Sequence, residues 1–133
     1  MTSTDNKALV DTYFRHFTAG RYDEALDMLA PDATVWICGK PDRFSLGGVR
    51  SKAQFSEQVR GVTNAVPKGL TLHPTKLIAE GEWVVAETDV SGISANGRTY
   101  DNKYVFMFEI KNGRFKTLKE YLDTMHAKET FLD

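Results

Sequence analysis

Glu87, Asp89, Tyr104 and Glu120 fall within one stretch, residues 83 to 125, at spacings that can bring three carboxyl groups and a phenol together on a sheet. Carboxyls crowded into an apolar pocket resist ionisation, through desolvation and through one another's charge. One of them can then hold a proton near neutral pH while another accepts one, which is the division of labour that general acid/base catalysis needs. With Tyr104 as a hydrogen-bond donor, such a set suits proton shuttling on a small molecule, of the isomerase, cyclase or lyase type.

Whether these groups meet depends on two turns. Asn96-Gly97 is a preferred dipeptide for a two-residue hairpin loop, in which both central residues take positive φ. That loop pairs Ala95 with Arg98 and sets Ser91 opposite Asn102, Asp89 opposite Tyr104 and Glu87 opposite Phe106. Lys111-Asn112-Gly113 fits either a two-residue or a three-residue loop, and only the longer one keeps apolar residues on one face, because a one-residue slip exchanges the faces. It sets Phe106 against Leu118, Tyr104 against Glu120 and Asn102 against Leu122. Asp89, Tyr104 and Glu120 then form one row, the two acids on backbones about 10 Å apart. Asn102, Phe106, Leu118 and Leu122 are expected to line the pocket beside them. Tyr121, Val105 and Met107 would lie on the outer face, apolar for a solvated surface, which predicts a homodimer.

The elements that position this sheet are readable in order. Thr4 or Asp5 can cap a first helix whose residues Leu9, Val10, Tyr13, Phe14 and Phe17 recur at helical spacing, ending near Gly20. A short second helix opens at Asp23 and is stopped by Pro31. Ala33 to Cys38 reads as a first strand, followed by a polar loop from Gly39 to Gly48. Ser51 and Gln54 match a capping box ahead of a third helix with Phe55, Val59 and Val62 as its apolar stripe. Leu70 to Glu80 reads as a strand that Pro74 confines to an edge or a bulge. Asp123 or Thr124 can cap a short last helix. Three helices followed by a meandering antiparallel sheet imply an α+β domain in which the sheet wraps the helices around an internal pocket.

A chain of 133 residues, 41% hydrophobic and 26% charged, fits one domain spanning residues 1–133. A formal net charge of -1, with no basic run, argues against nucleic acid or an anionic membrane as partner. Cys38 is alone and cannot form an internal disulfide, and the first ten residues lack the apolar core of a signal peptide, so a cytoplasmic location is expected. His16, His73 and His126 show no metal-ligand spacing, and neither a metal nor a cofactor is expected.

Three segments, TAGRYDEALDMLAPDATVW, NGRTY continuing to NKYVFMFEIKNGRF, and KEYLDTMHA, resemble the nuclear transport factor 2-like superfamily, and within it the SnoaL-like and ketosteroid isomerase-like proteins. The resemblance covers nearly the whole chain. It implies a cone: a strongly bent sheet around three helices, a deep pocket, and commonly a dimer through the outer sheet face. Carried over by position, Tyr13 matches the oxyanion tyrosine of ketosteroid isomerase, while the base position falls on Ile37 and the oxyanion acid around Val105 or Phe106. Asp89 and Glu120 also match the two acids of limonene epoxide hydrolase, with Glu87 at its arginine position, Trp36 at its tyrosine position and Cys38 at its asparagine position. Tyr13 and Trp36 are thereby expected to contact a substrate. Two classes of function follow: an enzyme acting on a small, largely apolar molecule, by acid/base chemistry or epoxide hydrolysis, and a module that binds a ligand or dimerises without turnover.

Overall fold

The computed structural model describes residues 2–133. Helix α1, Ser3–Thr18, buries Val10, Tyr13, Phe14 and Phe17. Its cap is Thr2, whose hydroxyl accepts from the Asp5 backbone N–H at 3.1 Å while the Asp5 carboxylate accepts from the Thr2 N–H at 3.0 Å. Thr4 therefore lies inside the helix, and Asp5 serves as the reciprocal partner of the capping box rather than as the cap. Helix α2, Tyr22–Asp27, ends well before Pro31, which sits within strand β1, Leu29–Ile37. Proline is tolerated there because the pairing of β1 is interrupted between Leu29 and Thr34, where no ladder donor is needed.

Strand β2, Gly48–Ser51, which the loop-like sequence does not announce, leads into helix α3, Lys52–Arg60, through the expected Ser51/Gln54 capping box. A one-turn helix α4, Val62–Ala65, precedes β3, Thr71–Glu80, then β4, Trp83–Ile93, β5, Thr99–Lys111, and β6, Arg114–Tyr121. Helix α5, Thr124–Phe131, is capped by Asp123, whose carboxylate accepts from His126 N–H at 3.1 Å. The six strands form one curved sheet in the order β2-β1-β6-β5-β4-β3. It is mixed rather than wholly antiparallel: β6 returns beside β1 in the same direction. Strand β3 is an edge, with a register shift between Pro74 and Lys76, as the proline requires. Helix α1 packs on β3 and β4, α3 on β1 and α5 on β5. Between α1 and the sheet lies an aromatic core in which Tyr13 meets Phe108 and Phe115 edge-on at 5.6 and 5.5 Å and Phe14 meets Phe106 at 5.0 Å.

Both hairpin registers differ from expectation. Among the described non-glycine residues only Asn112 has positive φ, so Asn96 does not adopt the conformation of a two-residue loop. Instead Ser94 N–H donates to Arg98 O at 2.8 Å across three residues, with Gly97 alone at φ +85°. The Ser94 hydroxyl accepts from Arg98 N–H at 3.0 Å, and Ala95 N–H is tied to Ala65 O of α4 at 2.9 Å, which holds the wider loop open. The register moves by one residue: Thr88 pairs with Tyr104, Asp89 with Lys103 and Glu87 with Val105. Val84, Ala86, Thr88 and Val90 therefore face inward and are buried, while Glu87 and Asp89 face the convex side.

The second hairpin closes through two residues, Asn112 and Gly113, at φ 53° and 74°. A bulge follows at once, since Phe115 pairs with Ile110 but Thr117 with Glu109, leaving Lys116 as the extra residue. Phe106 then pairs with Glu120 and Phe108 with Leu118. Each partner is displaced by two positions from the expected pairing, so Tyr104, Phe106, Leu118 and Glu120 still share the inner face. No described helix is long and apolar enough to cross a membrane.

Because Gly97 alone carries the left-handed turn of the first hairpin, Gly97→Ala should lower stability by about 1 kcal/mol without altering the fold, read as a shift in the urea midpoint at constant m-value.

Candidate functional site

The sheet's curvature leaves a cavity of about 320 Å³ between its concave face, α1, and the segment from α3 to Leu72. Its walls are apolar, with Phe17 from α1, Phe55 and Val59 from α3, and Ile37 and Phe106 from the sheet, and its rim carries Leu46, Phe131 and Leu132. The last two are held in place by Arg98, which donates to Glu129 O and Asp133 O, each at 2.6 Å. Four polar side chains reach this space: Tyr13, Gln58, Tyr104 and Glu120.

Among the described residues Glu120 is the only acid on the wall. Its backbone is clamped between β1 and β5: its carbonyl accepts from Cys38 N–H at 2.9 Å, and it pairs with Ile37 and Phe106. Its carboxyl makes no hydrogen bond or ion pair with any described residue. Burial raises its pKa to about 7, with the positive charge of Arg50 acting in the opposite sense. Arg50 lies on β2 opposite Val35 and is half-buried, its guanidinium donating to Gly48 O at 3.3 Å and Ser45 O at 3.1 Å. It is held by the loop and acts on Glu120 through space.

The two tyrosines keep their protons. Burial first, and the Glu120 charge second, push the Tyr13 phenol well above its ordinary range. Burial does the same to Tyr104, reinforced by Tyr100 and Glu120. The Tyr104 hydroxyl lies 2.7 Å from that of Tyr100, which accepts from Asn102 Nδ2 at 3.0 Å. Since Asn102 occupies one lone pair of Tyr100, the chain can run from Asn102 through Tyr100 to Tyr104, leaving the Tyr104 proton free to point into the cavity. Tyr100, pushed up to about 12 chiefly by burial, stays neutral as well.

Of the residues singled out from the sequence, Tyr13, Tyr104, Phe106 and Glu120 meet on the cavity wall. The others do not. Asp89 pairs with Lys103 at 2.5 Å on the convex face, and Glu87 is exposed on the same side, because the three-residue loop reverses the faces of β4. The acid pair demanded by the epoxide hydrolase resemblance, Asp89 with Glu120, is thereby split between opposite faces of the sheet. Trp36 also lies on the convex face, packed edge-on against Tyr121 at 5.1 Å, since Val35 and Ile37 take the inner positions of β1. Asn102 faces inward but is consumed by structure, bonding Tyr100 and both backbone groups of Asp123 at 3.0 to 3.2 Å. Leu118 is buried in the core with Leu122 packed against it, and neither is on the cavity wall.

Sequence reasoning missed Gln58. It stands three residues after Phe55 and one before Val59, both of which line the cavity from α3, and a polar residue at such a position was the available signal. Its Oε1 is buried with no hydrogen-bond partner among the described residues. An unsatisfied buried acceptor costs about 1–3 kcal/mol.

Residues 10–117 match the family model of the SnoaL-like domain. The chain is similar in structure to an NTF2-like protein of unknown function from Burkholderia pseudomallei, at 23% identity over 100% of both chains with a TM-score of 0.86. It is also similar to TerC co-crystallised with polyporic acid, at 20% identity over 97% of this chain and 99% of that one, TM-score 0.84. A candidate polyketide cyclase from Xanthomonas campestris matches at 20% identity over 97% and 98% of the two chains, TM-score 0.82. At these identities the likeness is one of fold. No curated protein sequence matches.

The Glu120 carboxyl makes stability depend on pH in a definite direction. A carboxyl raised to about 7 in the folded chain, against about 4.3 unfolded, favours folding fully below pH 4.3. That contribution is lost as pH rises through 7, by something on the order of 3 to 4 kcal/mol. Thermal melts from pH 4 to 8 should therefore show Glu120→Gln gaining on the wild type as pH rises, and carboxyl-carbon NMR should place the wild-type midpoint near 7, moving upward in Arg50→Met.

Proposed function

The chain belongs to the SnoaL-like domain family, and we propose that it is an enzyme that moves a proton on a small, largely apolar molecule bound in the cavity. One observation carries this reading: a single carboxyl poised near neutrality, in an apolar wall that also presents two tyrosine hydroxyls. A general base is most effective when its pKa lies near the working pH. With one acid in the cavity rather than three, the base and acid roles fall on the same group in succession.

In that scheme the Glu120 carboxylate takes a proton from a carbon next to a carbonyl. The electron pair of the broken C–H bond moves to the carbonyl oxygen, which accepts hydrogen bonds from Tyr104 and Tyr13. Those donors are held in advance by the core, so they stabilise the developing negative charge without rearranging. Glu120 then returns the proton to the same or a neighbouring carbon, or to a departing oxygen, which covers isomerisation, cyclisation and elimination with one apparatus. The TerC complex with polyporic acid and the cyclase description of the Xanthomonas protein support a small organic ligand in this fold.

The convex face supports association with a second copy. Val49, Trp36, Met107, Val85 and Ile78 follow the strand pairings across it, interrupted by Lys119, and Val49 and Ile78 are largely exposed. An exposed apolar face of this kind suits burial in a homodimer.

Deuterium exchange at the α-carbon of 2-tetralone in D₂O, followed by NMR, tests the chemistry. Glu120→Gln should slow it by about 100-fold or more, and Tyr104→Phe should slow it too, while Asp89→Asn and Glu87→Gln on the convex face should leave it unchanged. Equal rates in wild type and Glu120→Gln, with ligand binding intact, would favour a binding module without turnover. Sedimentation at micromolar concentration should give a species of twice the 15.0 kDa chain mass, reverting to monomer in Trp36→Glu.

A further inference from the structure

The Glu120 carboxylate enters the cavity wall without a counter-charge. Among the described residues that wall carries no lysine, arginine or histidine. Arg50, whose charge Glu120 feels, has its guanidinium committed to Gly48 O and Ser45 O of the loop. The carboxyl is nonetheless within reach of a ligand. Asn6 Oδ1 and Gln58 Oε1 are sealed as well as unpartnered, whereas the Glu120 oxygens and the Tyr13 hydroxyl, equally unpartnered among the described residues, keep surface at the cavity. The same cavity is lined by the rings of Tyr13, Phe17, Phe55, Tyr104, Phe106 and Phe131. Aromatic faces attract a cation and repel an anion, so the wall favours positive charge even apart from Glu120.

A carboxylate enclosed without a partner is costly, and the cost is relieved either by a proton or by a cation that enters beside it. A carboxyl titrating at about 7 gives its proton to an alkylamine, whose ammonium form holds on to about 10. The contact is then a charge-assisted hydrogen bond, stronger than one between neutral groups. An ammonium group has further protons to place, and the Tyr13 hydroxyl has a free lone pair to accept one.

We propose that the cavity is a receptor site for apolar amines, whose ammonium group pairs with the Glu120 carboxylate inside the aromatic wall. The inference rests on the reading of the cavity as a small-molecule site. It adds charge to the ligand class: an apolar body bearing an ammonium group is admitted, and the same body bearing a carboxylate is turned away. Because the ammonium occupies the base, such a ligand competes with a carbonyl substrate and stops the proton transfer.

Three probes of one shape differ only in charge: 2-(aminomethyl)naphthalene, 2-(hydroxymethyl)naphthalene and 2-naphthoate. Calorimetry on the wild-type protein near pH 8 should show the amine binding about tenfold more tightly than the alcohol, with the naphthoate weakest. Glu120→Gln should bring the amine down to the level of the alcohol, whose own binding reports that the cavity is still formed. Asp89→Asn on the convex face should change nothing. The amine should also inhibit deuterium exchange into 2-tetralone competitively. An amine that binds no better than the alcohol, a naphthoate that matches the amine, or an amine preference that survives in Glu120→Gln would each overturn the proposal; should that variant fail to fold, the ranking of the three probes on the wild type decides. Exchange that proceeds unhindered with saturating amine would overturn the proposal and leave the proton-transfer reading standing. A Glu120-dependent amine preference with no exchange in the wild type would sink the proton-transfer reading alone. If none of the three probes binds, the amine proposal falls, and the proton-transfer reading falls with it only when exchange is absent too.

Discussion

Everything on the sheet side of the cavity depends on one extra residue in β6. The Asn112-Gly113 loop by itself would set Phe106 opposite Lys119, turning Leu118 and Glu120 outward and lysine inward. The bulge at Lys116 undoes this within three residues of the turn, and from there on Leu118 and Glu120 face the core while Lys119 and Tyr121 face away. A strand offers each side chain one of two faces, so a single insertion decides whether the acid lies in an apolar cavity or in water. The energetic reason for the bulge is plain in the sequence of β6: burying Lys119 would cost far more than one disrupted ladder position.

The same constraint limits how much charge the cavity can hold. One carboxyl without a hydrogen-bond partner is tolerated because it can stay protonated near neutrality and because Arg50 acts on it from β2. Three in that volume would add mutual repulsion to desolvation. The outward turn of Glu87 and Asp89 relieves both, and Lys103 meets Asp89 where water screens the pair. What is left inside is one carboxyl among neutral tyrosine hydroxyls.

Local signals were the legible ones. The Ser51/Gln54 box, the Asp123 cap, the buried stripe of α1 and the edge position of the Pro74 strand each follow from chemistry within a few residues, and the structure has all four. The family resemblance supplied the curved sheet around helices. Register was the weak point, because Asn96-Gly97 suits two loop lengths, and the choice is made by Ser94 and by the contact of Ala95 with α4, which is distant in sequence. The uncharged alternation Val84, Ala86, Thr88, Val90 was a better guide to the inner face than the turn dipeptide. The inner face of β6 was assigned correctly through an incorrect loop, since two single-residue errors, in the loop and in the bulge, cancel in parity. The parallel return of β6 beside β1 was not legible at all: nothing local records which distant strand an edge will meet.

Pro74 and the irregularity after it also govern what the sheet cannot do. Strand β3 closes one side of the sheet, and its free edge is broken where proline offers no donor and the register shifts. The opposite edge, β2, is only four residues long. Neither side presents the long, regular row of unpaired amides on which another chain could template itself. Ordered growth of the sheet into a cross-β fibril is thus obstructed at both ends, and the exposed apolar surface on its convex side can be covered by stacking face to face without opening a route to polymerisation.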